Sequence, residues 1–309
     1  MSRAYAVGIG AANIDIYGRS LLPIREKTDH PAEIFTGAGG VTRNILDNLQ
    51  RLDVPVSLIS AVGDDMFGEM LLKMCREQGM DVSQVLTVPG EKTSVFMQVQ
   101  NDDHDMYMAL CDMSVMRHID TACLQARKQL LDGAALIIMD PSLPVESLEY
   151  LVSAYGNKIV VDPVSDIYAE KMIVYAGRIF ALKPNRTELE VLSGMKITDE
   201  DSLEQAGKKL IEKGLKTLYI SLGRDGCLYM DEKRTIRRKM KPVETMVNAS
   251  GAGDSFLAGI LSGILHDGSI EEVLDYGLAA GRLAVQSKEA ISPDLNLETL
   301  KKIIKENIT

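Results

Sequence analysis

Asn248-Ala249-Ser250-Gly251-Ala252-Gly253-Asp254 (NASGAGD) joins a glycine-rich turn to a long amphipathic run, and the rest of the chain is arranged around it. The apolar residues of the run follow the i, i+3, i+4, i+7, i+8 spacing of a buried helix face. They are Leu257, Ile260, Leu261, Ile264 and Leu265. We therefore expect Asp254 in the first turn of a helix.

The glycines of this motif favour an anion-binding turn. Gly251 and Gly253, on either side of Ala252, can take backbone angles that let consecutive N–H groups converge on one point at the positive end of the helix. An anion hole beside the carboxylate of Asp254 suits phosphoryl transfer, which needs donors for the transferred group and a base for the attacking hydroxyl. A glycine turn with a capping acid explains the same residues, so the motif alone leaves both interpretations open.

The composition narrows the class of protein. The chain has 309 residues, and its 34 Lys and Arg against 44 Asp and Glu give a net charge of −10, which argues against nucleic acid or an anionic membrane as the main partner. Four scattered cysteines without a CxxC pair indicate a reduced compartment and no structural zinc. No apolar stretch approaches a membrane span or a leader, so we expect a cytoplasmic protein.

Two polar residues follow the first predicted strand, at about residues 4–10. A dinucleotide fingerprint would place a third glycine where Asn13 stands, so binding of a nicotinamide cofactor is disfavoured. Asn13 and Asp15 are two apart in a strand-like segment, and an amide and a carboxylate on one face suit neighbouring sugar hydroxyls. A turn with a cap is the structural alternative.

A second glycine pair, Gly39-Gly40, precedes the predicted helix that contains Asn44. Paired glycines allow a ligand to approach the backbone, and Asn44 in the first turn could reach the same ligand. A glycine-rich helix entry with a polar cap accounts for the same pattern.

The chain also carries signs of a small separate sheet. Residues 18–38 are rich in turn formers and charges and interrupt the βα pattern as an excursion from the core. In Thr93–Ala109, apolar and polar residues alternate on both sides of a polar turn at Asn101-Asp102-Asp103-His104, as in a β-hairpin. We expect a β lid at residues 16–38 and 93–111, over a core at residues 1–15, 39–92 and 112–309. Thr93 and Asp112 would then meet a substrate beneath the lid, although a simple edge hairpin remains the alternative.

Three short apolar strands end in polar residues, at Asp140, at Asp162 and at Lys183-Pro184-Asn185. Such runs are typical of buried parallel strands, and ligands in such sheets gather beyond the carboxyl ends of the strands. Asn185 and Glu188 share a helix face and could hold Mg²⁺ through water, or could simply cap the helix.

The remaining elements frame the opening motif. A strand at Leu218–Leu222 turns at Gly223-Arg224-Asp225-Gly226, and the basic run from Lys233 to Lys241 reads as a solvated strand edge. Two helices follow the NASGAGD motif, the second from Ile270 to about Ser287.

Taken together, these motifs resemble the ribokinase-like (PfkB) carbohydrate and nucleoside kinases over nearly the whole length. The motifs are Gly39-Gly40-x-x-x-Asn44, Asn185-x-x-Glu188 and Gly251-Ala252-Gly253-Asp254. The resemblance implies a doubly wound, mostly parallel α/β sheet flanked by helices, with a small β-sheet lid and a homodimer through that lid. It also implies ATP as donor and a sugar or nucleoside hydroxyl as acceptor. It further implies Asp254 as general base and Gly251 to Gly253 as anion hole.

Other positions take their expected roles from the same resemblance. It implies contacts to the substrate from Asn13, Asp15, Gly39, Gly40 and Asn44, with Asp140 nearby; Mg²⁺ and phosphate contacts at Asn185 and Glu188; and an ATP site along Lys183, Asn185, Ser221, Gly223 and Gly226. Asn248 and Ser250 lie where relatives bind an activating monovalent cation such as K⁺. Asn248 replaces the aspartate that most of the family carries there, and a neutral amide binds such a cation less strongly.

Within the family, the likeness is strongest to the pseudouridine kinase branch, on stretches such as Val88–Ser94, Cys111–Ser114 and Val161–Ser165. This implies phosphorylation of the 5′-hydroxyl of pseudouridine to give pseudouridine 5′-phosphate and ADP, with Thr93 or Asp112 reading the base. The alternatives are a kinase for another nucleoside or a free sugar, and a non-catalytic nucleoside- or sugar-binding protein of the same fold. Arg43 is the only well-placed clamp for a phosphorylated sugar.

Overall fold

The computed structural model describes residues 4–102 and 106–307. Asp103 and His104, expected in the hairpin turn, lie outside the described residues. The strands are β1 Ala6–Ile9, β2 Asn13–Ser20, β3 Ala32–Gly39, β4 Val56–Ile59, β5 Ala61–Gly63, β6 Leu86–Val88, β7 Val95–Gln100, β8 Met106–Asp112, β9 Leu136–Met139, β10 Ile159–Val161, β11 Ala181–Leu182, β12 Thr217–Ser221, β13 Cys227–Asp231 and β14 Thr235–Arg238. The helices are α1 Val41–Arg51, α2 Met66–Glu77, α3 Thr121–Ala126, α4 Lys128–Gly133, α5 Val145–Tyr155, α6 Asp166–Met172, α7 Arg186–Ser193, α8 Glu200–Glu212, α9 Ala252–Leu265, α10 Ile270–Val285 and α11 Leu297–Asn307.

The main sheet has eight strands in the order β14-β13-β12-β11-β10-β9-β1-β4. The six strands from β12 to β4 run parallel, and β13 and β14 add an antiparallel edge. This confirms the predicted doubly wound, mostly parallel sheet flanked by helices. The basic run at Lys233–Lys241 supplies the outer strand, β14, as expected for a solvated edge.

The core lies on both faces of this sheet because its central strands β9, β10 and β11 are apolar at every position. In β9, Ile137 and Met139 pack toward α3 to α8, whereas Leu136 and Ile138 pack toward α1, α2, α9 and α10. Alternate side chains of a strand point to opposite faces, so a strand covered by helices on both sides needs a continuous apolar run.

A second, four-stranded sheet has the order β3-β2-β7-β8. It unites the 18–38 excursion with the 93–111 hairpin, because β2 pairs with β3 and with β7. Strand β2 begins at Asn13, so Asn13 and Asp15 belong to this sheet, whereas the sequence assigned them to the core. Residues paired across strands share a face, which puts Asp15, Tyr17 and Phe96 on one side of it.

Two elements differ from the sequence expectation. The apolar run at residues 56–62 forms two strands, since it breaks at the buried Ser60 and β5 pairs with β6 in a separate two-stranded sheet. A third C-terminal helix, α11, follows α10 and packs Leu300 against Ala279 and Ala280. Leu297, Leu300 and Ile304 follow the i, i+3, i+7 spacing of a helix face, which could have predicted this helix. Across residues 4–102 and 106–307, no helix has the length and apolarity to cross a membrane.

Candidate active site

Helix α9 begins in an open turn. Gly251 takes φ 75° as its N-terminal residue, and no side chain caps the helix. A Cβ at Gly251 would lie 2.0 Å from the carbonyl oxygen of Ala290, so only glycine fits there. The N–H of Ala252 donates to the carbonyl of Ala249 at 3.4 Å. Since no side chain satisfies the other first-turn N–H groups, those of Gly253 and Asp254 remain available to an anion.

Asp254 lies in this first turn and is 8% exposed. Asn44 of α1 donates a hydrogen bond from Nδ2 to its Oδ2 at 2.8 Å. Burial raises the pKa of Asp254 to about 7, with the negative charge of Asp162 adding to the shift and the Asn44 hydrogen bond opposing it. A carboxyl group that titrates near neutral pH is suited to take a proton from a hydroxyl.

Helix α1 starts in a similar way and packs against α9. Gly40 has φ 100°, and a Cβ there would lie 2.2 Å from the carbonyl oxygen of Ala11. Besides the Asn44–Asp254 bond, Ser255 donates to Oδ1 of Asn48 at 3.1 Å. Two polar contacts thus fix the first turns of these helices relative to each other.

Asp15 forms a second polar centre on β2. Its carboxylate accepts hydrogen bonds from Asn13 Nδ2 at 2.5 Å and from the Tyr17 hydroxyl at 2.8 Å. Gly39 packs so closely against it that a Cβ would lie 2.1 Å from Oδ1. Burial raises the pKa of Asp15, and its charge reaches Asp254. The predicted sugar-contact residues therefore assemble near the predicted base.

Tyr17 and Phe96 are site-facing residues that the sequence reasoning missed. Their rings meet edge to face with centroids 6.4 Å apart, and the Tyr17 hydroxyl donates to Asp15. They could have been found from the alternation of side chains along a strand: Tyr17 lies two residues after Asp15 on β2, and Phe96 of β7 pairs with Asp15, so both share its face.

Lys183 follows β11 and is buried beside the glycine turn. Its Nζ lies 2.7 Å from Oδ2 of Asp162, and a Cβ on Gly253 would lie 3.1 Å from that Nζ. Burial favours the neutral amine, but the negative charges of Asp162 and Glu188 outweigh it and raise the pKa of Lys183. A positive charge is thereby held next to the open end of α9.

Asn185 and Glu188 form a capping box at the start of α7. Asn185 Oδ1 accepts from the N–H of Glu188, and a Glu188 oxygen accepts from the N–H of Asn185. The structure thus contains the capping arrangement that was the alternative to a magnesium role. Burial and the charge of Asp162 raise the pKa of Glu188 to about 7. One Glu188 oxygen stays outside the box, which fits a water-mediated contact to Mg²⁺ better than direct coordination.

No cluster of three metal-ligating side chains occurs among residues 4–102 and 106–307. The chain therefore fits Mg²⁺ only as a partner of nucleotide phosphates, which would supply most of its ligands.

The remaining predicted nucleotide contacts are turns near α9. The N–H of Ser221 donates to the carbonyl of Pro184, while Gly223 and Gly226 both have positive φ. A cavity of about 480 Å³ lies between the end of α10 and the segment 287–294, whose Ala290 carbonyl contacts Gly251. Its size is that of a small-molecule site.

Asn248 and Ser250 form the turn before α9. The amide oxygen of Asn248 accepts from the N–H of Ser250 at 2.9 Å, and its Nδ2 lies 3.3 Å from the carbonyl of Lys288. The oxygen that would bind a cation is thus already in use by the turn.

Thr93 is bonded to other groups and Asp112 is directed away from the site, although both are predicted substrate contacts. The Thr93 hydroxyl donates to Asp65 at 2.5 Å and accepts from the N–H of Gly63. Cys111 pairs with Phe96 and therefore shares the face of Asp15. Asp112 is the next residue of the strand and pairs with Val95, so its side chain lies on the opposite face of the sheet. These placements argue against base reading by Thr93 or Asp112.

Asp140 is fully enclosed and accepts from the N–H of Ala11 at 3.0 Å and from the Thr42 hydroxyl at 2.7 Å. It ties the end of β1 to the start of α1. Its carboxylate therefore supports the backbone around the site, and because it is enclosed, direct contact with a substrate is not supported.

Known proteins share this arrangement at the level of family and fold. The family model described as pfkB family carbohydrate kinase matches residues 3–296. The chain is 30% identical to the pseudouridine kinase of Escherichia coli K12, over 97% of this chain and 96% of that protein. It is also 30% identical to the uncharacterized sugar kinase YeiI of the same organism, over 97% and 83%. A structure of Arabidopsis thaliana ribokinase complexed with ribose and ATP superposes with a TM-score of 0.84 at 23% identity, covering 98% and 99%.

Proposed function

The chain belongs to the pfkB family of carbohydrate kinases, phosphotransferases that act on sugar or nucleoside hydroxyls, and from this we propose that it transfers a phosphoryl group from ATP to the 5′-hydroxyl of pseudouridine. The products are pseudouridine 5′-phosphate and ADP. The observation that carries the catalytic part is the buried Asp254, with its pKa near 7, at the open end of α9.

In the proposed mechanism, Asp254 takes the proton of the acceptor hydroxyl as the hydroxyl oxygen attacks the γ-phosphorus of ATP. The bond from that phosphorus to the β–γ bridging oxygen breaks, and ADP leaves with the electron pair. The N–H groups of Gly251 to Gly253 and the ammonium of Lys183 stabilise the charge on the transferred group. Mg²⁺ bound to the phosphates would neutralise part of their charge, with Asn185 and Glu188 facing it through water.

The second sheet favours a nucleoside over a free sugar. Asn13, Asp15 and Asn44 would hold the ribose hydroxyls, and the aromatic pair of Tyr17 and Phe96 lies on the same face as Asp15. Aromatic rings next to a sugar site offer a stacking surface for a base. Sequence identity supports pseudouridine but is equal for the uncharacterized sugar kinase, so the acceptor is decided by assay.

We place the nucleotide along Lys183, Ser221, Gly223 and Gly226, with its base toward the cavity beside Ala290. The segment 287–294 that borders this cavity also contacts Gly251 through Ala290, which supports a donor nucleotide with its phosphates on α9. We propose weak K⁺ dependence, since Asn248 offers a neutral and already engaged oxygen. Replacing potassium by sodium chloride in the assay tests this, and a large loss of rate would contradict it.

We further propose that the second sheet acts as a lid and pairs with the lid of a second copy. Its outer face carries a row of exposed apolar side chains that continues across the strands. The row contains Ile34, Met97, Met108 and Leu110, which are 64%, 42%, 45% and 60% exposed. Light scattering tests this, because a dimer that Leu110→Glu converts to a monomer is expected and a wild-type monomer would overturn it.

The central experiment measures ADP release from ATP with pseudouridine, uridine, other nucleosides and ribose as acceptors. We expect the highest kcat/KM with pseudouridine. A higher value for another acceptor would reassign the substrate, and no ADP release with any acceptor would favour the non-catalytic binding protein. Phe96→Ala sharpens the test, since loss of stacking should lower kcat/KM for nucleosides by roughly tenfold or more and affect ribose less.

A further inference from the structure

Arg43 is a buried arginine that neither the proposed mechanism nor the predicted substrate contacts use. It is 2% exposed, although the sequence favoured it as a clamp for a phosphorylated sugar. Its guanidinium points into the protein, where Nη2 donates to Asp47 at 2.9 Å and to Gln78 at 2.6 Å. Its Nε is buried without a hydrogen-bond partner among the described residues, while Nη2 is held by Asp47 and Gln78. A side chain held inside the fold in this way cannot serve as a phosphate clamp.

The other nitrogen of the guanidinium reaches the site indirectly. Nη1 donates to Oδ1 of Asn44 at 2.8 Å and to the carbonyl of Ala38 at 3.2 Å. Asn44 in turn donates from Nδ2 to Asp254 at 2.8 Å. A continuous chain of hydrogen bonds thus links Asp47, through Arg43 and Asn44, to the proposed base.

This chain determines which way the Asn44 amide faces. An amide carries an acceptor oxygen and a donor nitrogen, and a guanidinium can only donate. Arg43 therefore requires the oxygen of Asn44 on its own side, which leaves only the nitrogen to meet Asp254. With the amide reversed, its oxygen would face the carboxylate and would favour the protonated form of Asp254.

We propose that Arg43 is a positioning residue that locks the Asn44 amide so that it donates to Asp254 and keeps this carboxylate ionised and aimed at the acceptor hydroxyl. The proposal rests on the proposed role of Asp254 as base. Arginine suits this task because its planar fork binds Asn44 and Asp47 at once from a rigid head group.

Several other groups also act on these residues, and the test has to separate them from the Arg43 effect. Asp254 is surrounded by the charges of Asp15, Asp162 and Lys183, with Tyr17 on β2 nearby. Arg43 also acts on one of them, because its positive charge lowers the pKa of Asp15. Arg43→Lys keeps a positive charge at this position and so separates that electrostatic effect from the loss of the hydrogen bond to Asn44.

Arg43 itself is faced by Asp47 on its own helix and by Cys75 and Gln78 at the end of α2. Asp47 also binds Arg51, whose Nε donates to Oδ1 at 2.9 Å. Arg51→Met is therefore a matched control, because it removes an arginine from the same carboxylate and leaves the link to Asn44 intact.

The experiment measures kcat from about pH 5.5 to about pH 9 with saturating ATP and the best acceptor of the panel, for the wild type and three variants. Arg51→Met should keep the wild-type profile. In Arg43→Met and Arg43→Lys the acid limb should move up by about half to one pH unit, so that kcat falls about two- to fivefold at pH 7 and recovers at high pH. Arg43→Lys retains the charge beside Asp47 and remains informative if Arg43→Met does not fold.

Three outcomes would overturn the proposal: an unchanged profile in both Arg43 variants, an equal loss at every pH, or a wild-type limb in Arg43→Lys, which would show that charge suffices without the fork. Asp254→Asn separates this proposal from the proposed function. If that variant keeps wild-type turnover, both fail; if it is inactive and the limb does not move, only the role of Arg43 fails.

Discussion

Helices α7 and α9 both begin near the same cluster of buried charges, but their first turns are built in opposite ways. In α7, the side chains of Asn185 and Glu188 satisfy the backbone N–H groups at the start. In α9, a left-handed glycine starts the helix and no side chain caps it. Groups satisfied within the protein hold a scaffold in place, whereas groups left open are available to a ligand.

The comparison extends to other helices. Helices α8 and α10 carry capping boxes like that of α7, while α1 starts at Gly40 without a side-chain cap, as α9 does. Helices α1 and α9, which contribute Asn44 and Asp254, both start at a glycine with positive φ. Helices α4 and α5 also lack a side-chain cap, but Arg127 and Pro144 precede them in place of such a glycine. The chain therefore places glycine-opened helix starts where the proposed reaction takes place.

The largest expected effect concerns the acid in the open turn. Asp254→Asn should lower kcat by about 10²-fold or more, because an amide cannot accept the proton of the attacking hydroxyl. Affinity for ATP should remain near the wild-type value, which isothermal titration measures. Turnover like that of the wild type would remove Asp254 as the base and weaken the contrast between the two helices.

The next effect concerns the glycine that opens the turn. In Gly251→Ala the new methyl would collide with the Ala290 carbonyl, so we expect a loss of about 2 kcal/mol in stability together with weaker ATP binding. Gly194→Ala at the end of α7 is the matched control, since Gly194 has φ 67° and open space around it. The control should lose only about 1 kcal/mol and keep normal turnover.

The buried acid also makes stability depend on pH. The pKa of Asp254 is raised from 3.8 to about 7 by burial, so between these values the folded state holds a proton that the unfolded chain releases. Its contribution to the free energy of unfolding therefore falls as pH rises through this window. Asp254→Asn should be more stable than the wild type at pH 8, by about 1–2 kcal/mol, and nearly equal at pH 4. Equal melting temperatures at pH 8 would contradict a buried, charged base.

The smallest effect separates capping from metal binding in α7. Asn185→Ala removes the cap and should cost about 1 kcal/mol of stability. Glu188→Gln keeps an acceptor for the N–H of Asn185 but loses the negative charge, so stability should change little while the Mg²⁺ concentration for half-maximal rate rises. An unchanged Mg²⁺ dependence in Glu188→Gln would limit both residues to a structural role.

Much of this fold was predictable because its signals are local. The apolar strands, the glycines before α1 and α9, and the hairpin at residues 93–111 each follow from residues adjacent in the chain. The grouping of Asn13, Asp15 and Asn44 near Asp254 was expected from the family resemblance alone, since Asn13 and Asp15 lie on β2 of the second sheet and Asn44 lies in α1.

The rest depends on contacts between distant segments. Whether Thr93 faces a ligand is set by Asp65, and whether Asp112 faces the site is set by its pairing with Val95. The inward course of Arg43 depends on Gln78, which lies 35 residues away. Nothing in the neighbourhood of these residues in the sequence indicates the partner.

The bond between Asn44 and Asp254 has a consequence for synthesis on the ribosome. The two residues are 210 positions apart, and α9 covers α1 with apolar residues such as Leu257 and Leu261. At about 5–20 residues per second, the nascent chain exposes the α1 surface for roughly ten seconds or more before α9 leaves the tunnel. During that interval the face of α1 that later packs against α9 lacks this cover, and the proposed catalytic centre is among the last parts to be completed.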